Sequence, residues 1–485
     1  MAKTVNSTPR LTAKGFVGPG GGKASYVEAP PEYRGTSVQV CGLWPFAAGS
    51  GTPMIGTPIG TSLIGGRTTV CFDPISWFVR AKLIHNPSMF VLGLPGLGKS
   101  TFVRRTVLGV AASGVVPMIL GDLKPDYSDL VTALGGQVIR LGRGLGTLNP
   151  LAAGTLGSIL PQLSGRTKDR VRAEVHGRRL HMVAGLIGVI RRRPISDGEE
   201  TILSAALHVL DAAFNKGTPP LLTDLLKVLD EGHPQVRAVT LDRGEDERYR
   251  QEVDPLQRSL IGLLDGPLGA TFAQHTSTPI DVNAPAVCID ISGITASDER
   301  LTAAVLLSCW SDGFGAIEAA NVLADEGLAP QRRFYAVLDE LWRVMRVPGL
   351  VDRTDELTRV NRQHGVGTAY ITHTGLDAES LAREEDRAKA RGFIERAGAI
   401  VCGGLPRREL AQLSEVVAFS RAERRMITEW STPASWDHES GREMPPPGQG
   451  NFMLKVGQRP GIPVHVELTR SELASNVHNT NKRWV

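Results

Sequence analysis

A short apolar run, Met89-Phe90-Val91-Leu92, ends at Gly93 and opens directly into Gly93-Leu94-Pro95-Gly96-Leu97-Gly98-Lys99-Ser100. The octet has the form G-x4-G-K-[ST]. Contiguous apolar residues bounded by glycine read as a parallel strand buried on both faces. After Lys99 the period changes, and Phe102, Val103, Thr106, Val107 and Val110 recur at helical spacing. Strand, glycine loop and helix in that order commit the chain to an α/β fold with a parallel sheet. The residue types also have a chemical logic. Glycines let backbone N–H groups wrap a phosphate, and the following helix turns its positive N-terminus toward the anion. Gly93, Pro95, Gly96 and Gly98 shape the loop, and Lys99 supplies a cation for β- and γ-phosphates. Ser100 offers a hydroxyl to Mg2+, and Thr101 is placed for the α-phosphate. The expected cofactors are ATP and Mg2+.

The same grammar continues along the chain. Val115–Leu120 reads as a second strand ending at Gly121-Asp122, Leu130–Leu134 as a short helix, and Gln137–Leu141 as a third strand. Strands resume at Ala286–Ile291, Phe334–Leu338, Thr368–Thr372 and Ala399–Cys402, with a long helix over Arg300–Leu323. Between the third strand and Ala286 the chain is charged and helical in period. Helices are expected over Arg166–Ile190, Glu199–Phe214, Leu221–Leu229 and Pro255–Leu264. The expected organisation is therefore a flexible tail (1–34), a first part of the α/β domain (35–160), a helical insertion (161–275) and a second part (276–430). A terminal segment (431–485) follows, with a Pro-rich loop over Ser431–Gly450 and a hairpin of Phe452–Lys455 and Pro463–Leu468 turning near Gly461.

Phe334-Tyr335-Ala336-Val337-Leu338-Asp339-Glu340 is an apolar strand ending in two carboxylates. Asp339 stands where a carboxylate holds Mg2+ through water. Glu340, one residue on, is placed to polarise the attacking water. Read alone, the pair is equally two surface acids opening a helix; the glycine loop upstream favours the catalytic reading. Other positions keep two readings. His373, after Thr372, is either a sensor of the γ-phosphate or a solvated strand-end histidine. Arg359 and Arg362 are either fingers for a neighbouring subunit's site or a solvated basic face, and Arg362 is the chosen candidate. Arg191-Arg192-Arg193 reads as a solvated helix end, with nucleic-acid contact the lesser alternative. Asp122, in Gly121-Asp122-Leu123-Lys124-Pro125-Asp126-Tyr127, either orients the nucleotide site or caps a turn.

Composition excludes several classes. A formal net charge of +4 over 485 residues argues for neither a nucleic-acid nor a membrane surface. The five cysteines, Cys41, Cys71, Cys288, Cys309 and Cys402, lack the spacing of a zinc site or disulfide framework. Residues 1–34 lack the apolar core of a signal peptide, and no run reaches the roughly 18 apolar residues of a membrane span. The expected location is the cytoplasm.

Taken together, several segments resemble one family. The glycine loop, Leu120–Tyr127, Leu148-Asn149-Pro150-Leu151 and Val337-Leu338-Asp339-Glu340-Leu341-Trp342 are similar to the conjugal-transfer ATPases of type IV secretion systems. That family, of VirB/TraC type, belongs with the HerA–FtsK group of P-loop NTPases. Trp44-Pro45-Phe46 and Gly56–Gly60 also resemble its approach to the ATPase domain, so the likeness covers about residues 38–470. The resemblance implies a RecA-like core, ATP hydrolysis with Mg2+, a hexamer, and secretion or membrane-channel components as partners at the cytoplasmic membrane. A DNA-translocating coupling ATPase of the same group is the alternative, with DNA contact. A non-motor scaffold is disfavoured by intact Lys99, Ser100, Asp339 and Glu340, and a small-molecule kinase by the Asp-Glu pair. Two departures stand out. The family usually carries a sizeable docking domain before the loop, where this chain has fewer than about a hundred residues, and it favours Gln where this chain has His373.

Overall fold

The computed structural model describes residues 10–12, 15–17, 54–64, 68–142, 144–213, 218–294, 298–347, 350, 354–355, 363–372, 384–437, 442–475 and 477–478. Two units are separable, Met1–Gly51 and Thr52–Val485. In the first, the described residues are β1 (Arg10–Thr12) and β2 (Gly15–Val17), an antiparallel pair inside the segment read as a tail.

The second unit is built on one 11-stranded sheet. Its strands in chain order are β3 (Pro58–Ser62), β4 (Thr69–Cys71), β5 (Ser88–Leu92), β6 (Val115–Asp122), β7 (Gln137–Gly142), β8 (Val287–Gly293), β9 (Arg333–Leu338), β10 (Val366–Ile371) and β11 (Ala399–Cys402). A separate antiparallel ribbon follows, β12 (Ser435–Asp437) and β13 (Arg442–Met444), then β14 (Asn451–Lys455) and β15 (Ile462–Val466) complete the sheet. The spatial order is β4-β3-β15-β14-β11-β5-β10-β9-β6-β8-β7. From β11 to β7 all neighbours are parallel. From β4 to β11 they are antiparallel. Every residue of β5, β6, β10 and β11 is buried, which is why these strands are continuous apolar runs in the sequence.

Strand alternation divides the interior into two cores. Val116, Met118 and Leu120 of β6 and Phe334, Ala336 and Leu338 of β9 face a helical layer. Val115 and Ile119 of β6 and Tyr335 and Val337 of β9 face the helix Lys99–Ala112. The helical layer is the insertion: Gly165–Arg191, Asp197–Ala213, Leu222–Glu231, Pro234–Thr240, Asp246–Asp265 and Gly269–Phe272. It joins β7 to β8, which are parallel neighbours, so it is an enlarged crossover packed beneath the long helix Glu299–Asp325.

Three expectations are corrected. Pro255 lies inside a helix of 20 residues rather than starting one. Tyr249, Val253, Leu256, Leu260 and Leu263 form a buried stripe that carries the helix through the proline. Pro234–Thr240 is a further helix, with Pro234 at its first position. The segment Ser431–Gly450 contains the β12–β13 ribbon and is not loop throughout. The terminal hairpin forms as expected, and it also enters the main sheet, β14 pairing with β11 and β15 with β3. Cys71, Cys288, Cys309 and Cys402 are buried free thiols, and among the described residues no helix is long and apolar enough to cross a membrane.

Candidate functional site

The carboxyl ends of β5, β9 and β6 converge on one crevice, the place where open α/β sheets bind ligands. At the end of β5 the chain turns sharply. An added Cβ on Gly93 would lie 3.2 Å from the Gly403 backbone, so only glycine lets the loop run this close to the turn after β11. Gly98 has φ +96° and caps the helix Lys99–Ala112 from the left-handed region. The rim is pinned by two backbone bonds, Leu94 N–H to Gly404 O (3.0 Å) and Gly450 N–H to Leu97 O (3.0 Å). The open face lies at Gly96, where an added Cβ meets nothing within 4 Å. Lys99 is buried, and its ammonium donates to the carbonyls of Gly93 (2.5 Å) and Leu94 (3.1 Å). Pro95 lies in the same loop, and Thr101 sits half-buried in the first helical turn. Ser100 donates its hydroxyl to Asp126 Oδ2 at 3.3 Å.

Two features of the strands aim the acids at this loop. On β9, alternation turns Asp339 to the side of the Lys99–Ala112 helix. On β6, Asp122 shares parity with Leu120 and on a regular strand would face the helical layer. The register shifts between Leu120 and Asp122, with Gly121 at φ +117°. This bulge carries Asp122 round to the loop side, where Cys288 Sγ lies 3.8 Å from Oδ2. There Asp122 accepts from Tyr127 N–H (2.7 Å) and Asp126 N–H (3.0 Å). Of its two sequence readings, capping the turn is the one that matches these bonds.

That turn presents Lys124 and Asp126. Asp126 was not foreseen as a site residue; the available signal was its place in Asp122-Leu123-Lys124-Pro125-Asp126, just past the end of a strand in the sheet that carries the loop. Glu340 adopts φ +54°, a conformation unusual for a residue with a side chain. Its amide donates to Asp339 Oδ1 at 2.8 Å. Lys124 Nζ meets its Oε1 at 3.0 Å, and the Trp342 indole donates to its Oε2 at 2.5 Å. Tyr127 Oη stands 3.5 Å from Asp339 Oδ2.

The crevice is strongly anionic. Burial pushes Asp339 up to about 7, with Glu340, Asp122 and Asp126 adding to the effect. Burial likewise raises Asp122 to about 6 against its two backbone donors. Asp126 is raised by burial too, partly offset by Arg104 and Lys124. A hydroxyl beside clustered carboxylates is the donor set of a hard divalent cation, and the glycine loop with its helix N-terminus suits a polyphosphate. The residues therefore fit ATP and Mg2+: Ser100, Asp339 and Asp126 for the metal, Gly93–Thr101 for the phosphates.

His373, Arg359 and Arg362 lie outside the described residues. Asn149 is a structural link: Nδ2 donates to Pro220 O (2.9 Å), and Oδ1 accepts from Leu151 N–H (2.9 Å), tying the loop to the insertion. Arg191 is half-buried rather than freely solvated. It pairs with Glu199 at 2.6 Å and donates to Ser259 at 2.7 Å, whereas Arg192 and Arg193 are exposed.

No family model and no curated protein matches the chain. Solved structures do. VirB4 of Thermoanaerobacter pseudethanolicus superposes with a TM-score of 0.65 at 17% identity, over 87% of this chain and 100% of the other. The bacterial conjugative coupling protein TrwBΔN70, in complex with sulphate, gives 0.50 at 13% identity, over 87% and 97%. Plasmid coupling protein TrwB in complex with ADP and Mg2+ gives the same values. The chain thus has the α/β fold of VirB4 and TrwB, in keeping with the parallel sheet read from its strand runs and with the RecA-like core that the family resemblance implied.

Proposed function

We propose that this protein hydrolyses ATP with Mg2+, as an oligomeric motor that energises conjugative, type IV secretion or its assembly. One observation carries the hydrolytic part. The phosphate loop and the Asp339-Glu340 strand end meet at a single crevice, bridged by Ser100–Asp126 and Lys124–Glu340. Gly93–Ser100 holds the phosphates, and Lys99 exchanges its loop carbonyls for β- and γ-oxygens. Ser100 and Asp339, with Asp126 beside them, would hold the metal, which would supply charge neutralisation on the phosphates. Glu340 takes the proton from the attacking water. The motor part rests on likeness of fold to VirB4, supported by the Asn149-Pro150-Leu151 and Asp339-Glu340-Leu341-Trp342 segments. Hexamers, a station at the cytoplasmic face of a membrane channel, and channel components as partners belong to the same reading.

Lys99→Ala is expected to abolish Mg2+-dependent turnover, and Glu340→Gln to retain bound ATP without turning it over. Wild-type turnover in both variants refutes the assignment. The likeness to TrwB favours a second reading, a DNA-translocating ATPase. Stimulation by double-stranded DNA that falls steeply with salt selects it over the secretion motor.

A further inference from the structure

A general base needs a carboxylate lone pair aimed at water, and each oxygen of Glu340 already accepts from one side-chain donor, which fixes where the carboxylate points. Oε1 meets Lys124 Nζ at 3.0 Å; Oε2 meets the Trp342 indole N–H at 2.5 Å, with Arg343 Nε at 3.8 Å. Lys124 stands on the Asp122–Tyr127 turn. Two residues on, Asp126 accepts from the Ser100 hydroxyl. One short turn therefore touches the phosphate loop at one end and the base at the other. The Lys124 side chain is 59% exposed, while that of Glu340 is 8% exposed. The exposed ammonium has room to swing away, but leaving the buried carboxylate costs free energy that a competing anion must supply. A polyphosphate in the loop offers Lys124 a denser negative charge than one carboxylate does.

We propose that Lys124 and Trp342 form a latch that holds Glu340 off its work until nucleotide phosphate draws Lys124 away. The proposal rests on Glu340 being the base. Lys124 is then a positioning residue; no proton or bond changes hands at the latch. Ser100 and Asp126 would both serve a bound metal, so loading the loop would change the Ser100–Asp126 contact on the same turn that carries Lys124. Trp342 is the built-in reporter. Its indole bonds to Glu340 and lies against the guanidinium carbons of Arg343 (4.7 Å) and Arg346 (4.5 Å). Opening the latch changes this polar surround and hence its emission.

The test uses full-length wild type, Lys124→Met, Lys124→Arg and Trp342→Phe. Trp342 emission is taken as the difference from Trp342→Phe, so that the other tryptophans cancel. Nucleotide-free Lys124→Met is expected to show the emission that wild type reaches only with Mg2+ and a non-hydrolysable ATP analogue. Its basal kcat is expected to rise three-fold or more with KM within two-fold, and Lys124→Arg to restore both wild-type values. The proposal is overturned if nucleotide-free Lys124→Met emits like nucleotide-free wild type. It is equally overturned if kcat falls toward that of Glu340→Gln, which would make Lys124 a support for the active pose. Absence of ATP turnover in wild type would refute the hydrolytic reading; the emission arm needs only binding and still decides the latch.

Discussion

Glu472→Gln tests how firmly the last described helix, Arg470–Ala474, grips the helix that carries Lys99. The Glu472 carboxylate accepts from Thr469 N–H and Thr469 Oγ1, both at 2.7 Å, and from His478 Nε2 at 3.1 Å. It also pairs with Arg105 of the phosphate-loop helix, whose Nε donates to Pro58 O at 2.9 Å. Burial alone pushes this carboxyl up. The donors from Arg105, Thr469 and His478 outweigh burial and hold it down, from 4.5 to about 2. Each unit is worth about 1.4 kcal/mol, so 2.5 units correspond to about 3.4 kcal/mol. Solvent screening reduces this to about 2 kcal/mol. The sign follows from the depressed value. The stabilisation is fully present above the unfolded carboxyl's 4.5 and is lost as pH falls toward 2. By pH 3.5 about two-fifths of it is gone. Urea unfolding of wild type and Glu472→Gln at pH 7.5, 5.5 and 3.5 measures the gap directly. A gap below about 0.5 kcal/mol at pH 7.5, or one that does not narrow at pH 3.5, refutes the reasoning.

Three other substitutions separate structure from chemistry. Asn149→Ala leaves Pro220 O and Leu151 N–H without their partners and is expected to cost about 1–3 kcal/mol in urea unfolding, with kcat per folded molecule unchanged. Asp126→Ala is expected to raise the Mg2+ concentration for half-maximal ATPase by about ten-fold or more, read from a magnesium titration at saturating ATP. Gly313→Val forces a Cβ to 2.3 Å from Leu120 Cδ2, an overpacking of about 1–3 kcal/mol. Unlike Asn149→Ala it is expected to lower kcat as well, because Leu120 lies in β6 next to the Asp122 bulge.

The parallel half of the fold was legible because its strands are buried on both faces. Such strands announce themselves as apolar runs, and β5, β6, β8, β9, β10 and β11 fall where the runs are, while the edge strand β7 carries the exposed Arg140. The antiparallel edge was only partly legible. The β14–β15 turn is local and was visible, but the pairing of β15 with β3 joins residues about 400 positions apart, and nothing local encodes it. In the insertion, Pro255 misled because proline is usually read as a helix start, while the buried stripe on both sides of it governs the outcome. At the site, Lys99, Ser100, Asp339 and Glu340 were legible as motif residues. Asp126 and the latch at Lys124 were not, because their roles come from which strand ends the sheet places together. The Gly121 bulge that turns Asp122 to the loop side is a register event between β6 and β8, and register is a property of pairs of strands.

β6 is where the two layers meet, and this gives the site a route to the rest of the molecule. On one face, Leu120 nests over Gly313 of the long helix Glu299–Asp325, where an added Cβ would lie 2.3 Å from Leu120 Cδ2, and Leu306 of that helix lies 2.4 Å from where a Cβ on Gly121 would stand. On the other face, the bulge at Gly121 delivers Asp122, and through it the turn bearing Lys124 and Asp126, to the phosphate loop. The long helix shares one continuous core with the insertion, so the insertion is not a separately hinged body. The long helix packs directly on Leu120 and Gly121, with no room for a further atom between them. A shift of that helix is expected to bear on the end of β6, and through it on the contacts to Ser100 and Glu340. Coupling of events at the phosphate loop to the helical layer is therefore expected to run through these contacts, and Gly313→Val tests it without touching a residue of the site: unchanged kcat per folded molecule refutes it.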